Sequence, residues 1–232
     1  LMFRLNTNNT FLMHLGMSGR VLITESSKEK KNQKEMGVFF HNAEPVGPHD
    51  HLILEFSDQM LLTYNDVRRF GAVDIVETDK LFSHKWLSKL GPEPLGNNFF
   101  PEVLKASLKR KKSQVKTALL DQKVLAGLGN IYVCEVLWKA RISPFKLCHQ
   151  ISDSEYEFLT RSIREILRKA IKAGGSSLRD FKNVGGDLGY FQNNFSVYAQ
   201  EGNLCKRTKC GSTIQRSTQG GRSTFFCIKC QC

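Results

Sequence analysis

Apolar and polar positions trade places over short runs in the first third of the chain, then recur at helical spacing in the middle. Phe11–Met17, Arg20–Thr24, His51–Phe56, Leu61–Tyr64 and Ala72–Val76 have the length and alternation of strands. The opening Leu1-Met2-Phe3-Arg4-Leu5 reads as a strand already in progress, so the chain is expected to begin inside a domain. Ser57-Asp58-Gln59 is a hairpin turn between two strands, and the aperiodic stretch Glu25–Gly37 reads as a mobile surface loop. Further on, Ser152 with Glu155 forms a capping box. Leu159, Ile163, Ile166, Leu167 and Ala170 then mark one helix face, and Gly174-Gly175 stops it. Gln114–Leu125 and Ile131–Ala140 predict two more helices, separated by Gly127-Leu128-Gly129-Asn130. Ser176–Asn194, with Gly185, Gly186 and Gly189, predicts a long functional loop.

The expected fold is therefore α+β, in three parts: a β-sandwich over 1–78, a helical domain over 79–196 and a small C-terminal hairpin module over 197–232. Charge adds a partner class. A net charge of +12 favours polyanions, and the surplus is concentrated. Lys105, Lys109, Arg110, Lys111, Lys112 and Lys116 fall between Val103 and Leu120 with no acid among them. Lys206, Arg207, Lys209, Arg216, Arg222 and Lys229 fall after Gly202, again without an acid. That distribution predicts a nucleic-acid footprint. No apolar run approaches the about 20 residues a membrane helix requires, so no membrane partner is expected and the reading is a cytoplasmic protein.

The cysteines name a metal. Five of the seven lie in the last 28 residues, and Cys205-x4-Cys210 and Cys227-x2-Cys230 stand sixteen residues apart. Two close thiolate pairs suit one tetrahedral Zn²⁺, and a closed set of four marks it as structural. Between the pairs, Ser212–Thr218 and Ser223–Ile228 alternate like strands around Gln219-Gly220-Gly221, so this module is a zinc ribbon. Its glycine tip lets backbone approach another surface and presents the Arg222 guanidinium there. Cys134 and Cys148 read as ordinary buried residues, and Cys232 as a bystander.

The motifs resemble the formamidopyrimidine-DNA glycosylase family. The finger Cys-x4-Cys followed by Gln219–Cys227 carries the resemblance, as do His14-Leu15-Gly16-Met17-Ser18-Gly19, His49-Asp50-His51 and Asp66-Val67-Arg68-Arg69-Phe70-Gly71. Leu90–Leu95, Lys116–Gln122, Gly127–Tyr132, Gly189–Gln192 and Val197-Tyr198 extend it over nearly the whole chain, in the family's order. The resemblance implies a helix–two-turn–helix domain and a base excision repair glycosylase with abasic-site lyase activity, acting on duplex DNA that contains 8-oxoguanine or formamidopyrimidines. It also implies a monomer. Such enzymes flip the damaged base from the stack, and Met17, Arg68 and Phe70 match the residues that fill the void. Met is an adaptable filler, Phe a wedge, and Arg68 a donor to the orphaned cytosine. His14, His49, Lys112, Lys116, Asn130, Ile131, Tyr198 and Arg222 match positions that grip DNA, with Asn130 and Ile131 at a helix N-terminus. Ser176–Gln192 matches the loop that closes over the extruded base.

The family's chemistry starts from the amine of an N-terminal proline, which forms a Schiff base before β,δ-elimination. This sequence has no proline before Pro45, so the native product is expected to carry a further N-terminal segment. Arg222 occupies the position assigned a proton-donor role in δ-elimination. A guanidinium donates its proton poorly, and a phosphate clamp suits it better. Two rival readings stay open at this stage: a non-catalytic damaged-DNA-binding remnant, and a zinc-ribbon nucleic-acid binder of other ancestry. The second leaves Met17, Arg68 and Phe70 unexplained.

Overall fold

Six short antiparallel strands form where the period-two alternation falls, as two three-stranded sheets. In the first, β1 (Met2–Arg4) and β6 (Ala72–Glu77) flank β2 (Asn9–His14). In the second, β3 (Gly19–Glu25) and β4 (Asp50–Glu55) flank β5 (Met60–Asp66). The computed structural model describes residues 1–25, 47–176 and 190–231. Contacts divide it into two units, Leu1–His84 with Ala173–Gln192, and Lys85–Lys172 with Asn193–Cys232. The expected loop over Glu25–Gly37 lies outside the described residues beyond Glu25, as does most of the expected base-covering loop, 177–189.

The interior of the first unit is Phe11, Met13, Val21, Leu62 and Tyr64, closed by Phe3, Leu15, Ile23, Leu52 and Leu54. Each fully buried side chain of this kind contributes about 1.5–3 kcal/mol. Ser57-Asp58-Gln59 turns the β4–β5 hairpin as expected. Gln59 takes a φ of 66°, and the Phe56 amide donates to the Met60 carbonyl at 2.8 Å. β2 stops at His14 rather than running on to Met17, because Gly16 adopts a φ of 64° and turns the chain.

The second unit is helical, with helices α1 (Pro101–Leu108), α2 (Val115–Leu119), α3 (Asn130–Ala140) and α4 (Asp153–Lys172). The capping box forms: the Glu155 amide donates to Ser152 Oγ at 3.3 Å, and the Ser152 amide to Glu155 Oε2 at 2.8 Å. Tyr156, Leu159, Ile163, Ile166, Leu167 and Ala170 are buried along one face of α4, which packs on α1 and α3. Gly174 and Gly175, at φ 72° and 89°, end it. α2 is shorter than periodicity predicts. The chain turns at Asp121, whose carbonyl accepts the Val124 amide at 2.8 Å, and Gly91 then lies against the Val124 backbone too closely for any Cβ. Arg164 fixes the preceding turns by donating to the carbonyls of Pro94, Gly96 and Phe99 at 3.2, 3.0 and 2.7 Å. No helix among the described residues is long and apolar enough to cross a membrane.

Candidate nucleic-acid interface and metal centre

The C-terminal hairpin pairs β7 (Ile214–Gln219) with β8 (Arg222–Cys227), Gln219 opposite Arg222. A two-residue loop of this kind needs positive φ at both positions, and Gly220 and Gly221 supply 55° and 72°. At the open end, Cys205, Cys210, Cys227 and Cys230 place their sulfurs within 4.8 Å of one another. Separations of 3.9 Å (Cys205–Cys230), 3.6 Å (Cys210–Cys227) and 3.3 Å (Cys210–Cys230) bracket the about 3.8 Å between sulfurs on a tetrahedral Zn²⁺. The described cysteines form no disulfide. Burial, with the adjacent sulfurs of Cys210, Cys227 and Cys205, pushes the Cys230 thiol up to about 12. Such a cluster ionises readily only around a cation, so the donor set fits one structural zinc. The surroundings suit it as well. Trp138 Nε1 donates to Cys205 Sγ at 3.4 Å, and the Arg207 guanidinium stacks on the Trp138 ring at 4.5 Å. Lys229 Nζ donates to the Cys210 carbonyl at 2.8 Å.

The tip of the ribbon is latched to the helices. The Ser223 carbonyl accepts Lys116 Nζ at 3.2 Å and Asn130 Nδ2 at 3.0 Å. Gln219 Nε2 donates to Gln114 Oε1 at 2.7 Å and to the Pro144 carbonyl at 3.1 Å. Arg222 is thereby held exposed beside the first turn of α3, where the amides of Asn130 and Ile131 begin the helix. Lys116 departs from the picture of a cation facing solvent. It is fully buried, and burial, with the Arg222 charge adding to it, lowers its pKa. Lys112 is exposed on the segment between α1 and α2. Tyr198 packs edge-on against Phe225 and Phe195, at 5.0 and 5.5 Å between ring centres.

In the first unit, two loops meet backbone to backbone. A Cβ on Gly16 would come within 2.8 Å of the Phe70–Gly71 peptide, and one on Gly71 within 2.5 Å of the His14 carbonyl. Only glycine fits at either position. From these joined loops Met17, Arg68 and Phe70 point outward; Met17 and Phe70 are 65% and 57% exposed, and the Arg68 guanidinium lies over the Phe70 ring at 4.9 Å. The expected void-filling residues thus stand together. His14 is exposed at the end of β2, and His49 sits in the turn before β4, its carbonyl accepting the Asp66 amide at 2.9 Å.

Two buried acids escaped the sequence reading. Asp66 accepts four donors and holds the joined loops. Burial alone would raise its pKa, but hydrogen bonds from Ser18, Gly71, Tyr64 and Arg68 outweigh burial and hold it at about 2. Glu135 on α3 accepts the amides of Ser196, Val197 and Tyr198. Glu135 carries a slight signal, an acid within an otherwise apolar run, whereas Asp66 stands among polar and charged neighbours and carries none.

A metal-clamped hairpin without an acid, its arginine fixed beside a helix N-terminus, suits a polyanion, and the class defined is a zinc-ribbon DNA-binding protein. Residues 1–73 match the formamidopyrimidine-DNA glycosylase N-terminal domain, and residues 90–182 match the formamidopyrimidine-DNA glycosylase H2TH domain. A formamidopyrimidine-DNA glycosylase of Ruegeria sp. (strain TM1040) is 48% identical over 98% of this chain and 77% of its own length. One from Cereibacter sphaeroides (strain KD131) is 47% identical with the same coverage. The Lactococcus lactis enzyme bound to DNA containing an abasic site superposes with a TM-score of 0.82 at 36% identity, covering 99% of this chain and 78% of that one. MutM bound to DNA containing carbocyclic 8-oxo-G gives 0.81 at 37%, covering 99% and 77%. The chain belongs to the formamidopyrimidine-DNA glycosylase family.

Proposed function

We propose that this protein removes oxidised purines, 8-oxoguanine and formamidopyrimidines, from duplex DNA in base excision repair, as a cytoplasmic monomer. The observation that carries the reading is the display of Met17, Arg68 and Phe70 on two joined loops. Large apolar side chains left in water beside a guanidinium suit the space that an extruded base leaves behind. Met17 and Phe70 occupy that space, and Arg68 donates to the acceptors of the unpaired cytosine. Lys112, Arg222, His14, His49, Tyr198 and the α3 amides at Asn130 and Ile131 hold the phosphate backbone, with Lys116 fixing the tip that carries Arg222. Base release and strand cleavage follow the family's Schiff-base and β,δ-elimination route, whose attacking proline amine is not among these 232 residues. A sandwich (1–78), a helical domain (79–196) and the ribbon (197–232) divide this work.

The test uses binding, so it does not depend on turnover. Duplexes carry a stable abasic analogue opposite cytosine or adenine. Arg68→Ala should lower the preference for cytosine about tenfold, the worth of one base-edge contact. Lys112→Ala should weaken both duplexes equally, as a phosphate contact does. An unchanged cytosine-to-adenine ratio in Arg68→Ala would refute the assignment. A damage-binding role without catalysis predicts the same binding and no release of 8-oxoguanine.

A further inference from the structure

The loops that display Met17, Arg68 and Phe70 are cross-pinned by one carboxylate. Asp66, fully buried at the end of β5, accepts Ser18 Oγ at 2.5 Å and the Arg68 amide at 3.3 Å on Oδ1. On Oδ2 it accepts the Gly71 amide at 2.8 Å and the Tyr64 hydroxyl at 3.0 Å. Ser18 Oγ in turn accepts the Arg68 amide at 3.1 Å. One loop gives a hydroxyl next to Met17, and the other gives amides on either side of Arg69. That bracketing matters because Arg69 sits at a φ of 56°, a left-handed conformation that a non-glycine residue adopts at a cost. Its neighbours Arg68 and Phe70 are aimed outward by that same twist. The His51 ring adds a second tie, with Nε2 at 2.8 Å from the Asp66 carbonyl.

We propose that Asp66 and Ser18 are positioning residues that preset the void-filling side chains before DNA arrives, and so set the preference for a duplex with a missing base. This rests on the proposed function for what the side chains enter; the lock itself rests on the hydrogen bonds alone. A carboxylate that merely stabilised the sandwich would, when weakened, lower binding to every duplex alike. A lock that presets these three residues affects only DNA with a void to fill.

Ser18→Ala removes the hydroxyl and leaves the Tyr64 and Gly71 bonds to Asp66 in place, so folding is retained even where Asp66→Ala would disrupt it. Two readouts follow. Without DNA, amide hydrogen exchange at Arg68 should quicken about tenfold, as expected for loss of a bond to a charged group. With DNA, the ratio of affinities for a duplex carrying an abasic analogue opposite cytosine and for the intact duplex should fall about tenfold, while intact-duplex affinity stays within about twofold. Asp66→Asn should move both readouts the same way. Unchanged exchange in Ser18→Ala overturns the lock. Quickened exchange with an unchanged affinity ratio, or equal loss on both duplexes, overturns its role in recognition. Wild-type protein without any preference for the abasic duplex would overturn the functional reading instead, and exchange would then decide the lock by itself.

Discussion

Replacing Glu135 by glutamine alters one oxygen and one charge, and the structure sets the size of the effect. The side chain is 1% exposed on α3. Its Oε1 accepts the amides of Ser196, Val197 and Tyr198 at 3.0, 2.9 and 2.9 Å, and Oε2 accepts Ser196 at 2.9 Å. Glutamine keeps Oε1 but turns an amino group toward the Ser196 amide. Each bond to a charged acceptor contributes roughly 1.5–3 kcal/mol and each neutral one about 1 kcal/mol. Three bonds losing their charge therefore cost about 3 kcal/mol, and Glu135→Ala, which strands three amides, costs more. In a protein of this size about 3 kcal/mol lowers Tm by roughly 6–12 °C. Fluorescence can follow the transition, since one of the two tryptophans, Trp138, lies on α3 and borders the ribbon core. A Glu135→Gln protein within about 1 kcal/mol of wild type would show that these amides gain nothing from the carboxylate, and the anchor would be discarded.

Two further outcomes concern metal and acid. Metal analysis should find one zinc per chain, lost in Cys227→Ser, and chelation should unfold the ribbon hairpin, whose own core is small; folded protein devoid of zinc would contradict this. For Asp66 the folded pKa of about 2 lies below its ordinary 3.8, so the stabilisation is complete above about pH 4 and disappears as pH falls through 2. Between those limits wild type should lose about 2 kcal/mol more than Asp66→Asn in urea unfolding, and parallel pH profiles would refute it.

Legibility in the sequence followed the strength of local signals. α4 was plain because a capping box, a five-position apolar stripe and two glycines agree within one segment. α1 was not, since only Leu104 and Leu108 are buried in its eight residues, too few to mark a stripe, and a basic run follows at once from Lys109. The end of β2 depends on Gly16 meeting the Phe70–Gly71 backbone, and the turn that follows α2 packs the Val124 backbone against Gly91; no window around either glycine contains its partner. The zinc ligands were legible from spacing, because a metal imposes it. In the sequence Lys116 is one more base of an acid-free run. Its real partner, the Ser223 carbonyl, lies 107 residues further on and is placed only by the ribbon's docking. Asp66 and Glu135 escaped for the same reason: a buried acid is specified by donors that tertiary structure brings to it.

The magnitudes also say why the joined loops need to be rigid. On the proposed function, extruding a base costs a few kcal/mol of stacking and pairing. Met17 and Phe70, about 60% exposed in the free protein, can each regain roughly 1–2 kcal/mol on burial in the void. Those gains come close to the cost of extrusion and leave little surplus. Ordering each side chain at the moment of binding takes about 0.5–1.5 kcal/mol, enough to cancel that surplus. Loops already fixed by Asp66, with Arg68 stacked on Phe70, have met that ordering cost during folding. The basic tracts cannot substitute, because phosphate contacts strengthen binding to any duplex and weaken with salt for all of them. On the proposed function, affinity therefore resides in the lysines and arginines of the second unit, and discrimination in the hydrogen-bonded loops of the first.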